Sequence, residues 1–188
     1  MKERLKELLL EYAFQYSETP SFKLASGGVS HYYFNCKRVT LDPEGQYLIG
    51  NLFFDAVKDD EAVGIGGLTL GADPIATATA HASWINGGPV QAFVVRKKTK
   101  DHGVVALIEG KVSKGDRVVV VDDVLTTGGS TLQAVAACKA AGLNVVKAVI
   151  LVDRQELNGR ANVLQEVPEV QAIVTRDEMM EVYHARKK

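Results

Sequence analysis

The sequence predicts an α/β fold: a parallel, doubly wound sheet flanked by helices, with a small flap, or hood, at the N-terminal end. Three observations carry that reading. Val118-Val119-Val120-Val121 is a strand buried on both faces, as in the interior of a parallel sheet. Short apolar strand patterns alternate with helical ones along most of the chain, as βαβ units require. An aromatic-rich, glycine-broken stretch, Phe22 to Asn35, precedes the parallel pattern and reads as a β-hairpin outside the main sheet.

The bulk numbers narrow the class. A chain of 188 residues fits one domain, 1–188, with residues up to about 40 contributing the hood. Twenty-two Lys and Arg against 23 Asp and Glu leave a net charge of −1, so no bulk attraction to nucleic acid or anionic membrane is expected, and any anion site must be built locally. No apolar run approaches the roughly 20 residues of a membrane span. Met1-Lys2-Glu3-Arg4 is too charged for a secretory signal. Cys36 and Cys138 lack metal-type spacing, which suits reduced thiols in a cytoplasmic protein.

In chain order, Leu5, Leu8, Leu9, Tyr12 and Tyr16 fall on one face of an amphipathic helix spanning about 2–16. Asp42-Pro43-Glu44 supplies an N-cap acid and a first-turn proline for a helix running to about Lys58. Ala62 to Ile65 is a short strand that ends in the glycine-rich turn Gly66 to Asp73, and a helix from Pro74 to about Trp84 follows. Pro89 to Val95 is the next strand, Ala106 to Ile108 a short extended piece and Arg117 to Val121 the central strand. A helix over about 130–141 stops at Gly142. Val145 to Val152 and Val170 to Val174 are the last strands, and Asp177 to His184 the closing helix.

The chemistry gathers where strands end. Asp122 and Asp123 follow the valine run, and Thr126-Thr127-Gly128-Gly129-Ser130-Thr131 leads into a helix. Backbone N–H groups, hydroxyls and a helix N-terminus suit a phosphate, and the two acids suit sugar hydroxyls or Mg²⁺. No Lys follows the glycines, so this is not a Walker A loop. Gly66 to Gly71 has the spacing of a P-loop but continues as Ala72-Asp73, leaving a compact turn whose backbone could meet a pyrophosphate. Arg96-Lys97-Lys98-Thr99-Lys100-Asp101-His102-Gly103 puts four fixed positive charges and a histidine directly after a strand, with no periodicity of its own. It reads either as a solvated surface or as a loop that closes over a polyanion.

The block Val118 to Thr131 resembles the phosphoribosyl-pyrophosphate (PRPP) signature of the type I phosphoribosyltransferases. With the basic loop, the pieces Phe22 to Gly27 with Ser30 and Tyr32-Tyr33, Gly67 to Ala76, Ile108-Glu109-Gly110 and Asp153-Arg154-Gln155-Glu156 are similar, in order, to the orotate phosphoribosyltransferase family. That resemblance implies a type I phosphoribosyltransferase-like sheet and the reaction of PRPP with orotate to give orotidine 5′-monophosphate and pyrophosphate. It implies Mg²⁺ as cofactor and a homodimer in which the loop 96–103 reaches the neighbouring site. PRPP would be contacted by Arg96, Lys97, Lys100 and His102, by Asp122 and Asp123 at the ribose, by Val124 and Leu125, and by Thr126, Thr127, Gly128, Gly129 and Ser130 around the 5′-phosphate. Orotate would be contacted by Thr126 and Arg154, with Lys100, His102, Asp122 and Asp123 as the catalytic set. Read from its neighbours alone, Arg154 could instead form a strand-end salt bridge with Asp153 or Glu156. Ala25 and Gly71 stand where some family members carry Lys.

Overall fold

A computed structural model describes residues 1–23, 27–97 and 107–187. The expected extended piece at Ala106 and most of the basic loop lie outside them. The chain starts with α1 (Lys2–Leu8), continues as a π-helical turn over Leu9–Ala13 and passes straight into β1 (Phe14–Tyr16). Leu5, Leu8 and Leu9 are buried as the helical stripe predicts, but Tyr12 is exposed and Tyr16 is not helical. The helix expected over 2–16 is therefore too long. Cross-strand aromatic packing overrides the helical spacing: β1 pairs antiparallel with β4 (Tyr32–Phe34), and the rings of Phe14 and Phe34 lie 4.9 Å apart.

The expected hairpin divides in the same way. β2 (Phe22–Lys23) pairs with β3 (Val29–Ser30), while β4 leaves to join β1. Gly27 and Gly28, at φ +88° and +83°, take left-handed backbone that other residues adopt only with strain. A short helix, α2 (Lys37–Thr40), leads to α3 (Pro43–Val57), which Asp42 caps by accepting a 2.9 Å hydrogen bond from the Gly45 amide.

The remaining strands are β5 (Gly64–Leu68), β6 (Gln91–Val95), β7 (Ile108–Gly110), β8 (Arg117–Leu125), β9 (Asn144–Asp153) and β10 (Val170–Thr175). The helices are α4 (Asp73–Ile85), α5 (Gly129–Ala140), α6 (Gly159–Leu164) and α7 (Arg176–Arg186). Six strands form one sheet in the order β10-β9-β8-β5-β6-β7, parallel throughout except for the antiparallel edge β6–β7. The predicted sheet class stands.

Two strands run further than expected. Gly66, Gly67 and Leu68 belong to β5, not to a turn, because the sheet needs a residue without Cβ there. A Cβ on Gly66 would sit 2.1 Å from the Phe93 carbonyl oxygen, and one on Gly67 2.1 Å from that of Val121. β8 likewise carries Asp122 to Leu125 in register with β9, so both aspartates lie inside the strand.

The valine run divides between two cores. Val119 and Val121 pack with residues of α1, α3, α4 and α7, whereas Val118 and Val120 pack with α5 and α6. That is the two-residue period of a strand buried on both faces. We expect Gly66→Ala to destabilise the protein by about 1–3 kcal/mol, the usual cost of overpacking against a backbone that cannot yield. Urea denaturation measures it, and an unchanged midpoint would contradict this packing.

Candidate active site

The parallel strands β5, β6, β8 and β9 all point the same way, so they end on one edge, at Leu68, Val95, Leu125 and Asp153. In an open α/β sheet that carboxyl edge is where ligands sit. Four connections leave it, beginning at Thr69, Arg96, Thr126 and Arg154. Every predicted site residue among those described lies on one of these connections, on the last residues of β8 or in the first turn of α5.

The pleat separates the two aspartates. Asp122 faces the side of α5 and is buried. Ser130 donates to its Oδ2 at 2.5 Å and Thr131 at 2.9 Å, while the Asp123 amide donates to Oδ1 at 3.0 Å. Burial raises its pKa to about 6, with the Ser130 and Thr131 hydroxyls opposing and the Asp123 charge adding to the rise. Its carboxylate therefore already braces the first turn of α5. Asp123 faces the opposite core, where Lys37 Nζ donates to its Oδ2 at 3.0 Å and a Cβ on Gly71 would lie 2.6 Å from its Oδ1.

Between β8 and α5 the chain turns at Gly128, φ +85°, which has no room for a Cβ because Val163 would lie 2.8 Å away. α5 begins without a side-chain cap. Its first amides and the Thr126 to Ser130 loop thus offer donors and a helix dipole to an anion. Asn162 of α6 fixes the loop from behind by donating to the Thr127 carbonyl at 2.9 Å. Leu125 is buried in the core, and its carbonyl accepts from the Arg154 amide at 3.0 Å.

Arg154 joins the hood to the sheet. It is buried, and its Nη2 donates to Ser30 Oγ at 3.0 Å and to the Tyr32 carbonyl at 3.1 Å. Nη2 also lies 2.6 Å from Glu156 Oε2, so the salt-bridge reading of this arginine is realised. Its Cζ stands 5.9 Å from the centre of the Phe34 ring. Yet its Nε is buried and has no partner among the described residues, an unmet donor that an acceptor would satisfy. Arg154 lines a cavity of about 500 Å³ together with Phe22, Lys23, Tyr32, Tyr33, Phe34, Val124 and Thr126 to Ser130.

The structure thus brings Val124, Thr126, Thr127, Gly128, Gly129, Ser130 and Arg154 around one cavity and sets Asp122 and Asp123 beneath and beside them. Arg96 and Lys97 are exposed at the foot of the basic loop, where the Arg96 amide donates to Leu107 and its guanidinium meets Glu109 at 3.3 Å. Lys100 and His102 lie outside the described residues. Phe34, in the cavity wall, and Lys37, against Asp123, are not among the residues predicted for the site. The aromatic density of the hood is a signal for Phe34, but a lone lysine after such a strand carries none.

Comparison with known proteins agrees with this geometry. Residues 53–174 match the family model described as a phosphoribosyl transferase domain. A protein of Aquifex aeolicus named orotate phosphoribosyltransferase is 46% identical over 165 residues, 88% of this chain and 90% of that protein. The crystal structure of Mycobacterium tuberculosis orotate phosphoribosyltransferase with Fe(III) dicitrate is similar at a TM-score of 0.79 and 37% identity, covering 95% of this chain and 98% of that one. A second structure of that enzyme, in complex with PRPP, is similar at a TM-score of 0.75 and 35% identity, with 95% and 98% covered.

The raised pKa of Asp122 has a sign that can be tested. Between about pH 4 and about pH 6 the folded protein holds a proton on Asp122 that the unfolded chain has released. Stability from this group is therefore lost as pH rises through that window, by about 3 kcal/mol at most. In Asp122→Asn that loss should vanish, so the stability difference between variant and wild type should shift in the variant's favour from about pH 4.5 to about pH 7.5. Denaturation midpoints measure this, and an opposite shift would contradict the burial argument.

Proposed function

The chain belongs to the orotate phosphoribosyltransferase family, and from that premise we infer that it transfers the phosphoribosyl group of PRPP to orotate. The products are orotidine 5′-monophosphate and pyrophosphate, a step of pyrimidine nucleotide synthesis. The observation that carries the choice of base is Arg154, which lines an aromatic cavity beside an uncapped helix N-terminus and keeps a buried Nε with no partner among the described residues. Orotate is a flat ring bearing a carboxylate. Flat aromatic walls suit the ring, and a planar, permanently charged guanidinium suits the carboxylate.

The chemistry breaks the bond from ribose C1 to the pyrophosphate oxygen and forms one from C1 to a ring nitrogen of orotate, whose proton passes to the departing pyrophosphate or to water. Positive charge develops on the ribosyl centre and negative charge on the leaving group, so no side-chain nucleophile is needed. What the protein must supply is alignment, exclusion of water and cations for the departing pyrophosphate. In this reading the Thr126 to Ser130 loop holds the 5′-phosphate, Asp123 accepts from the ribose hydroxyls, and Asp122 holds the loop in shape. Arg96, Lys97, Lys100 and His102 bring positive charge to the pyrophosphate. Thr126 and Arg154 hold the base.

Mg²⁺ fits this site as a companion of PRPP. Asp123 offers hard oxygen at the carboxyl edge, which suits an ion that takes one or two carboxylates and fills its other positions with water and phosphate. When bound it would screen phosphate charge.

The working unit in this reading is a homodimer of one-domain chains, residues up to about 40 forming the hood, with the loop 96–103 shared between sites. Tyr47 of α3 and Ile85 of α4 support pairing, because these large apolar side chains are exposed together along one cleft. Among the described residues no helix is long and apolar enough to cross a membrane. Both thiols are free and buried, which supports a reducing, cytoplasmic setting.

Mixing protein, Mg²⁺, PRPP and orotate should consume orotate, followed by its absorbance. Turnover of a purine base with none of orotate would overturn the assignment. In Arg154→Lys the KM for orotate should rise roughly 10- to 100-fold, the value of a lost charged fork, with a much smaller change for PRPP. Equal changes in both would contradict the role of Arg154.

A further inference from the structure

Lys37 belongs to no pattern that the sequence shows, yet it is tightly placed. Cys36 on one side and Val39 and Thr40 on the other are buried, and they anchor the short helix α2 directly after the aromatic strand β4. The anchoring delivers Lys37 Nζ to within 3.0 Å of Asp123 Oδ2. Burial works against its charge, but the Asp123 carboxylate prevails and raises its pKa, so Lys37 remains an ammonium.

The other oxygen of Asp123 is confined as well. The backbone at Gly71 comes so close that a Cβ there would meet Oδ1 at 2.6 Å. Asp123 is therefore held between a cation from α2 and the connection leaving β5. That connection, Thr69-Leu70-Gly71-Ala72, contains no cation of its own. An ammonium has three donors, and Asp123 takes one of them among the described residues. The Lys37 side chain is 44% exposed, so the remaining donors are open to a ligand.

We propose that Lys37 is a positioning residue for PRPP, turning Asp123 toward the ribose hydroxyls and placing positive charge beside the Thr69 to Ala72 connection. The assignment rests on the reading that this site binds PRPP. A purely structural role predicts something different. A half-exposed ion pair contributes about 0–1 kcal/mol to stability, so its loss would hardly register in folding and would not single out one substrate.

The test is calorimetric titration of the full chain with PRPP and Mg²⁺ in the absence of orotate, for wild type, Lys37→Met and Lys37→Arg. Lys37→Met should bind PRPP roughly 10- to 100-fold more weakly, with its thermal midpoint nearly unchanged and its KM for orotate within about threefold of wild type. Lys37→Arg should recover most of the PRPP affinity. If wild type binds PRPP and Lys37→Met binds it equally well, the assignment fails alone. It fails as well if orotate affinity falls in parallel, if arginine does not rescue, or if both Lys37→Met and Lys37→Gln unfold. Wild type that does not bind PRPP at all would overturn the transferase reading and this assignment with it.

Discussion

Neighbouring side chains on a strand must face apart, and β8 imposes that rule on two carboxylates in succession. Asp122 turns to the α5 face, loses its contact with water and is consumed by Ser130, Thr131 and the backbone. Asp123 turns to the α3 face and meets Lys37. Two chemically identical residues thereby acquire different environments, one bracing the phosphate-type loop and the other presented at the edge. Since β8 lies at the centre of a parallel sheet, β5 and β9 deliver their own connections to either side of this pair. The position of the site follows from strand direction and pleat.

The hood completes what the sheet begins. A parallel sheet edge alone is open to water, and a reaction through a ribosyl cation needs water excluded. Tyr32, Tyr33 and Phe34 close one wall of the cavity, and Arg154 ties that wall to β9 through Ser30 and the Tyr32 carbonyl. The same guanidinium thus ties the hood to the sheet and lines the cavity, where the proposed function has it read the base. Its partners Ser30 and Glu156 are themselves joined by a 2.8 Å hydrogen bond, so the connection is a network rather than a single contact.

Much of this was legible in the residues. The valine run, the Asp42-Pro43 helix start and the Gly142 stop, where the Leu143 amide returns to the Cys138 carbonyl at 3.0 Å, all act through local rules. The errors share a cause, which is tertiary contact overriding local pattern. Tyr12 and Tyr16 imitate a helical stripe, but Tyr16 finds its partner across a ladder at Tyr32. Gly66 and Gly67 imitate a turn, whereas the sheet requires their missing Cβ atoms. Of the site, the residues that touch one another along the chain, Asp122 to Ser130, were readable. Lys37 lies 86 positions from Asp123, and only the folded structure shows the pair.

The central proposed role is that of Arg154, reading a carboxylate beside the Thr126 to Ser130 loop. Its Nε–Hε NMR resonance, assigned by its loss in Arg154→Lys, reports that donor directly. With pyrophosphate and Mg²⁺ present, orotate should shift the resonance as the unmet donor gains an acceptor, while uracil, which lacks the carboxylate, should leave it nearly in place. Equal responses to the two rings, or none to orotate, would contradict it.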